Sequence, residues 1–541
     1  MVLLAQCVLG IHGGFTINQH DAGACLFIEG SLISAAEEER YTRAKGSFGK
    51  LPIKSISACL SQARISLNDV DLVVLPGITY PDIVQRTKNW LQHHFSAKPE
   101  VIALNHQHAH LYSTLLMQPS LGDCIISSDA YGDRLTGAIG VLNEKYDLDI
   151  VEEIPPNHSL GRIYGMLTNF LGYRAAEEEF KVMGLSALGN PERYDLSFLS
   201  SESVNLFNEN PSYYSPYKYT QDEPYYSEML EKKIGISRRR PGEQFSQEHI
   251  DFAASMQNFY EHYLEKFLTY SSSLTKSRRF YFAGGTALNS LANYRMRKKG
   301  VVESLTIQPA ASDRGLALGC ATYGNLINGY QTPKLTNLCL GSEYSQESIN
   351  DLIDKLGLSY TYEENIPKAL ADFISRELII GIHRGRSEFG PRALGNRSIL
   401  ATPTHPDMKN MLNLKIKFRE SYRPFACICP EEHLQEYFSH SYQAPFMTEI
   451  FDALPATKAN FPSIVHVDGT CRVQSTSSIY DRFYSDTINE LIKIGHPPLI
   501  INTSFNLSGE PIVETPSDAI RSFFSSAIDI LIIGNFIITK N

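Results

Sequence analysis

The run Glu388-Phe-Gly-Pro-Arg-Ala-Leu-Gly-Asn-Arg-Ser-Ile-Leu400 puts two arginines, Arg392 and Arg397, beside a hydroxyl, Ser398. A second run, 413–425, adds Lys415, Lys417, Arg419 and Arg423. Six cations this close repel one another, and a polyanion relieves that repulsion. Guanidinium forks match the oxygens of phosphate and carboxylate. Phe389, Leu394, Ile399, Phe418 and Phe425 are interleaved with them. That pattern favours a partly enclosed anion site over a solvated basic face. Further on, His466, Asp468, Thr470, Arg472 and Gln474 alternate, which predicts one face of a strand. Asn502, Thr503, Ser504 and Asn506 supply neutral donors after an apolar run, and polar groups at strand ends suggest a ligand crevice.

A different chemistry is written at His106-Gln-His-Ala-His110. On a helix, His106 and His110 stand one turn apart and can share a metal, while His108 points elsewhere. Asp129 and Asp133 follow at a strand end and turn. Two histidines with carboxylates suit a divalent ion of the Fe, Mn or Zn type. Asp313, in an acid-and-glycine turn, is a candidate for a last metal ligand or a phosphate-side group. Glu179 and Lys181 sit in a glycine-bounded turn among apolar residues and read as a solvated ion pair or, equally, as site residues. Gly284-Gly285, between the strand Phe280-Tyr-Phe-Ala283 and a helix reaching past Asn289, is a form that admits a nucleotide close to the backbone.

Strand, glycine turn and hairpin occur at 6–40 and again at 123–146, the one internal repeat visible in the sequence. A duplicated domain of this kind holds a phosphorylated ligand between its halves. Residues 200–245 are rich in Tyr, Ser and Pro and read as an insertion or a lid. A helix is expected over 250–268 and another over 347–356. Turn-rich residues 324–346 mark a domain boundary. The expected division is 1–340 and 341–541, with α/β structure in both.

At 541 residues the chain is too long for one core. Its 43% hydrophobic and 20% charged content is that of a globular protein. A net charge of −10 argues against general nucleic-acid binding. Nine scattered cysteines without a CxxC predict free thiols and a cytoplasmic setting. The N-terminus lacks a basic region, no apolar run reaches transmembrane length, and no partner membrane is expected. GxxxxGK[ST] is absent, so P-loop chemistry is not expected.

Eight motifs, in order, resemble the O-carbamoyltransferase family, which includes nodulation, cephamycin and tobramycin carbamoyltransferases. They are His20 to Ala24 with Glu37 to Arg40; His106-x-x-x-His110; Lys181 to Leu185; Ala283 to Asn289; 308–319; 388–400; His466 to Thr470; and Asn502 to Asn506. The resemblance implies a duplicated actin/Hsp70-like N-terminal domain and a YrdC-like α/β C-terminal domain. It implies that carbamoyl phosphate and ATP with Mg(2+) form carbamoyl adenylate. The carbamoyl group then passes to a hydroxyl of a small-molecule or sugar acceptor.

By motif match, His106, His110, Asp129 and Asp313 hold a metal, Fe(2+) first, Mn or Zn next. Arg392, Arg397, Ser398, Lys417, Arg419, Arg423, His466, Asp468, Thr470, Arg472, Asn502, Thr503, Ser504 and Asn506 hold carbamoyl phosphate and ATP. Lys181, Gly284, Gly285 and Asn289 face a nucleotide in the N-terminal domain. His20 and Asp21, with Arg392 and Lys417, are the catalytic set. Three features depart from the family: Gln107 stands where a second adjacent histidine is usual, Ala130 follows Asp129 in place of glycine, and residues 15–19 precede His20 as a small insertion that leaves His12 as a rival base. The alternatives are an actin/Hsp70-like ATPase or sugar kinase, an enzyme related to tRNA threonylcarbamoylation, and a regulatory protein with inactive sites. No nucleic-acid partner is expected, and a homodimer is compatible with the sequence.

Overall fold

A computed structural model describes residues 6–16, 19–201, 206–215 and 226–540. The chain packs into two compact units, Met1–Ile11 with Val70–Lys334, and His12–Asp69 with Leu335–Asn541. The sequence divides the chain once, near 340; packing also groups residues 12–69 with the C-terminal part. The bonds behind that grouping are specific. Ala35 N donates to the Leu340 carbonyl, Arg40 Nη2 to that of Gly390, and Arg43 to those of Pro511 and Ile512.

The first half holds β1 (Cys7–His12), β2 (Gly23–Ile28), β3 (Ser31–Glu37), β4 (Leu72–Pro76) and β5 (Glu100–Leu104). The second holds β6 (Cys124–Gly132), β7 (Leu135–Leu142), β8 (Leu148–Ile154), β9 (Arg279–Ala283) and β10 (Ser304–Ile307). The succession is the same each time. A buried first strand is followed by an antiparallel hairpin, β2 with β3 or β7 with β8. Two parallel strands then add: β4 on β1 and β5 on β4, β9 on β6 and β10 on β9. This is the duplicated α/β arrangement expected from the repeat. Glu29 and Gly30, at φ 47° and 80°, make the tight β2–β3 turn that only left-handed residues close.

Residues Leu335–Asn541, in the same unit as β2 and β3, carry β11 (Thr361–Tyr362), β12 (Ile380–His383), β13 (Arg397–Ala401), β14 (Ala426–Pro430), β15 (Phe438–Ser439), β16 (Ile450–Ala453), β17 (Thr470–Thr476), β18 (Ile500–Ser504), β19 (Ile530–Ile533) and β20 (Phe536–Thr539). They form one mixed sheet, ordered β11-β20-β19-β12-β13-β18-β14-β17-β16-β15. Alternate residues feed opposite faces. Ile399, Ile501, Leu531 and Ile533 enter one core, and Ile380, Ile382, Leu400, Ile500 and Ile532 the other. Burial on both faces explains why β12 and β19 read as unbroken apolar runs. All nine cysteines are thiols, not disulfides. Among the described residues no helix is long and apolar enough to cross a membrane.

Candidate functional site

The helix His106–Thr114 starts after β5, with Asn105 as its cap accepting from Gln107 N. The one-turn spacing sets the two rings with centroids 4.9 Å apart. Asp129, on β6, places Oδ2 3.3 Å from His106 Nε2 and 3.2 Å from His110 Nε2. Asp313 Oδ1 lies 3.5 and 3.7 Å from the same two nitrogens. All four ligand atoms lie within 4.8 Å of one another. Two imidazole nitrogens and two carboxylate oxygens at these separations fit one shared divalent ion. Burial would lower the His106 pKa, but Asp313 and Asp129 outweigh it and raise it to about 10. Burial and Asp313 push Asp129 up, but bonds from His106 and His110 outweigh them and hold it at about 2.

The surrounding backbone is shaped to this cluster. Gly132 lies so close to the His106 ring that a Cβ there would overlap it. Asp133 is not a ligand; it accepts from the amides of Gly77 and His106 and from Thr79 Oγ1, and so anchors the helix start. His108 points away, as its spacing predicts, to Glu153 at 2.9 Å.

Gly284 and Gly285 press against the same strand end. Gly284, at φ 91°, abuts the Ser128 carbonyl where no side chain fits, and Gly285 N donates to Asp129 Oδ1 at 3.3 Å. Asn289 is a helix cap, accepting from Ala292 N and bonded to Gln257, so its side chain is committed to the scaffold. Lys181 pairs with Glu178 at 2.6 Å and lies over the Tyr173 ring. Glu179 accepts from Ala176 N. The two residues share a helix, Glu179–Leu185, where a two-residue spacing turns them apart.

In the other unit the 388–397 loop is folded around Glu388. Its Oε1 accepts from the amides of Leu394, Asn396 and Arg397. Gln474 and Asn502 donate to the carbonyls of Leu394 and Ala393. The sequence reading gave Glu388, Gln474 and Asn413 no such part. An acid opening a glycine-rich loop is the signal that could have marked Glu388, since successive amides in such a loop gather around an anion.

Arg397 is a correction. It is fully buried, and its guanidinium donates to the carbonyls of Glu514, Arg384, Asn396, Ser342 and Gly385. Every donor is spent on backbone, so Arg397 ties the loop together and offers nothing to a ligand. The Asn502 amide nitrogen is likewise committed, to Gln474 and Ala393, while its Oδ1 is buried without a hydrogen bond; Asn502, Thr503 and Ser504 lie within β18, not after it. Lys415 faces solvent. His466 and Asp468 are not on a strand. Gly469 (φ 82°) turns the chain before β17, His466 N donates to the Thr470 carbonyl, and Asp468 accepts from Thr470 and His466. Burial pushes Asp468 up, but those bonds outweigh it and hold it at about 2.

The remaining cations converge. A π-helical turn, Leu412–Lys417, ends at Phe418 in the left-handed region and tucks Lys417 inward. Its ammonium donates to Ser504 and Asn506, both neutral. Ser504 stands opposite Ser398 across the strands, and Ser398 Oγ is buried with no hydrogen-bond partner. Arg419 donates to Asn413 at 2.6 Å and lies over Phe425. Burial, then Arg419, Arg423 and Lys45, pushes Lys417 well below the usual lysine range. Burial, then Arg392, Arg423 and Arg419, does the same to Arg472. Arg392, Arg419, Arg423 and Arg472 lie close enough to disfavour one another's charge, offset in part by Glu420, 3.7 Å from Arg423, a balance that favours an incoming polyanion.

His20 and Asp21 belong to this unit. His20 Nδ1 is 3.4 Å from Asp21 Oδ2, and its ring rests against Phe48. His12, fully buried, donates from Nε2 to the His20 carbonyl at 2.9 Å. His12 therefore shapes the loop, and His20 is the more accessible of the two. In the 200–245 insertion, 202–205 and 216–225 lie outside the described residues, as do 17–18 before His20.

Two family models match the chain. Carbamoyltransferase N-terminus matches residues 85–322, and Carbamoyltransferase C-terminus matches residues 371–540. Nodulation protein NolNO of Sinorhizobium fredii is 31% identical, over 96% of this chain and 79% of that protein. Nodulation protein NolO of Bradyrhizobium diazoefficiens is 34% identical, over 81% and 79%. Among solved structures, component A of the Acidaminococcus fermentans (R)-2-hydroxyglutaryl-CoA dehydratase overlaps 60% of this chain and 98% of that chain, at 14% identity and a TM-score of 0.34, too loose to argue from.

Proposed function

The chain belongs to the carbamoyltransferase family, and from that premise we propose that it is an ATP-dependent O-carbamoyltransferase using carbamoyl phosphate as donor. The observation that supports this reading is the group of buried Lys417 with half-buried Arg392, Arg419, Arg423 and Arg472, whose repulsion two phosphorylated substrates would relieve. In the first half-reaction water releases phosphate from carbamoyl phosphate. A carbamate oxygen then attacks the α-phosphorus of ATP, and pyrophosphate leaves. Arg392, Arg419 and Arg423 hold the phosphoryl oxygens, and Lys417 and Arg472 offset charge that builds on them. Ser398, Ser504 and Asn506 orient the neutral part of the donor.

In the second half-reaction the acceptor oxygen bonds to the carbamoyl carbon and the bond to AMP breaks. His20, oriented by Asp21, takes the hydroxyl proton. A divalent ion held by His106, His110, Asp129 and Asp313 would supply Lewis-acid polarisation of an oxygen. Enclosure matters because a mixed anhydride released into water would hydrolyse.

Incubation with carbamoyl phosphate, ATP and a panel of hydroxylated metabolites, read by mass spectrometry, tests this. A carbamoylated product with equimolar AMP is expected. A phosphorylated product would replace this reading with that of a sugar kinase.

A further inference from the structure

Against the strand end that carries Asp129 lies a polar group to which the two half-reactions assign no part. Ser159 caps the helix Leu160–Phe170 and donates to the carbonyls of Asp129 and Ala130, at 3.0 and 2.7 Å. A Cβ on Gly161 would come within 2.6 Å of Ala130 N, so the first helical turn rests directly on that peptide. Arg162 extends from this turn. Its Nη1 is 3.4 Å from Glu209 Oε2, and its guanidinium lies over the Tyr214 ring at 4.9 Å. Glu209 N donates to the Asn157 carbonyl at 2.7 Å, and His158 donates to that of Phe207. The segment bearing Glu209 is thus laced to the residues just before Ser159.

Glu209 and Tyr214 are 8% and 6% exposed; among the described residues neither Glu209 Oε2 nor Tyr214 Oη makes a hydrogen bond, and Glu209 Oε2 has only its 3.4 Å ion pair with Arg162. Burial pushes the Glu209 carboxyl up to about 7 against the pull of Arg162. Burial, then Glu209, pushes the Tyr214 phenol up as well. Buried polar atoms are normally hydrogen-bonded, and two that lack such a bond can take one from a ligand. A carboxylate accepts, a guanidinium donates, and a phenol does either. Glu209 disfavours a phosphate here, and Arg162 disfavours an ammonium. A neutral hydroxyl, donor and acceptor at once, satisfies both orphaned atoms.

We infer that Glu209, Tyr214 and Arg162 form a subsite for a hydroxyl of the carbamoyl acceptor, placed by the helix start that rests on Asp129 and Ala130. The inference rests on the O-carbamoyltransferase reading and adds the acceptor class: an uncharged polyol or sugar with one hydroxyl for this subsite and another to be carbamoylated.

The test uses the full-length enzyme with carbamoyl phosphate, ATP and four probes: glycerol, D-glucose, N-acetyl-D-glucosamine and D-glucosamine. Carbamoyl transferred per pyrophosphate released is the readout. Wild type should carbamoylate an uncharged probe in preference to D-glucosamine. Glu209→Gln should raise KM for that probe and lower the coupling ratio by about tenfold or more, and Tyr214→Phe should do so by a smaller factor. Unchanged KM and coupling in both variants would overturn the subsite. So would preference for D-glucosamine, or failure of wild type to carbamoylate any uncharged probe while releasing pyrophosphate. Absence of carbamoyl-phosphate-dependent pyrophosphate release from wild type would instead sink the parent reading. Tyr214→Phe, nearly isosteric, separates lost recognition from misfolding, with metal content and melting temperature as checks.

Discussion

The metal cluster and the cationic cluster are built on opposite principles. His106, His110, Asp129 and Asp313 bring acids and bases together, and the pairs oppose each other's charge. Lys417, Arg419 and Arg472 do the reverse: burial and then neighbouring arginines disfavour their charge, and Lys417 and Arg419 rest on neutral oxygens. The first arrangement suits one small cation in a rigid frame. The second suits a large anion, whose charge would offset that repulsion. Buried charge on its own therefore says little; the sign and satisfaction of its neighbours say what it awaits.

The sharpest way to break this contrast is to remove one ligand from each side. His110→Ala should abolish bound metal in elemental analysis, whereas Arg392→Ala should leave metal content intact. Metal retained in stoichiometric amount by the histidine variant would undo the cluster assignment. Within the cationic group, Arg392→Ala should slow carbamoyl-phosphate-dependent pyrophosphate release by tens to hundreds-fold, about 2–4 kcal/mol of lost anion contact. Arg397→Ala should instead lower stability in urea by about 3 kcal/mol or more, because five carbonyls lose their donor. Equal effects on rate and stability in the two variants would erase the distinction between ligand-facing and structural arginines.

A smaller effect separates the turn at Asp468. Its carboxyl is held at about 2, below the ordinary unfolded value of ~3.9. The stabilisation is complete above about pH 4 and is lost as pH falls through about 2. Asp468→Asn should flatten that part of the stability profile by about 1–2 kcal/mol, discounted for partial exposure. Smallest is a proton count. Lys417 is held below its ordinary range, and a bound phosphate restores its charged form. Titration calorimetry of inorganic phosphate binding, in alkaline buffers of differing ionisation heat, should show uptake of a fraction of a proton. Uptake retained in Lys417→Met would assign it elsewhere.

Much of this was legible in the residues, and the failures have identifiable causes. The one-turn spacing of His106 and His110 is local, so a helix delivers it wherever it packs. Asp129 at a strand end and Asp313 in an acid-and-glycine turn are candidates on their own residues, with Asp133 beside Asp129; the family resemblance then joins Asp129 and Asp313 to the two histidines. Arg392 and Arg397 are the same residue type five positions apart. Only the backbone distinguishes them, since Arg397 opens a buried strand ringed by carbonyls. The alternation at 466–474 misplaced His466 and Asp468 because Gly469 reverses the chain before the strand begins. The duplicated strand order was visible in two glycine-turn hairpins. The grouping of 12–69 with the C-terminal residues was not, because it depends on bonds such as Arg40 to Gly390, across 350 positions.

The measurement closest to the central claim is pyrophosphate release from ATP with and without carbamoyl phosphate, in wild type, Arg392→Ala and His20→Ala. The account predicts release only when carbamoyl phosphate is present, its loss in Arg392→Ala, and its persistence in His20→Ala while transfer to acceptor fails. Release of pyrophosphate without carbamoyl phosphate, or loss of both half-reactions in both folded, metal-loaded variants, would contradict it.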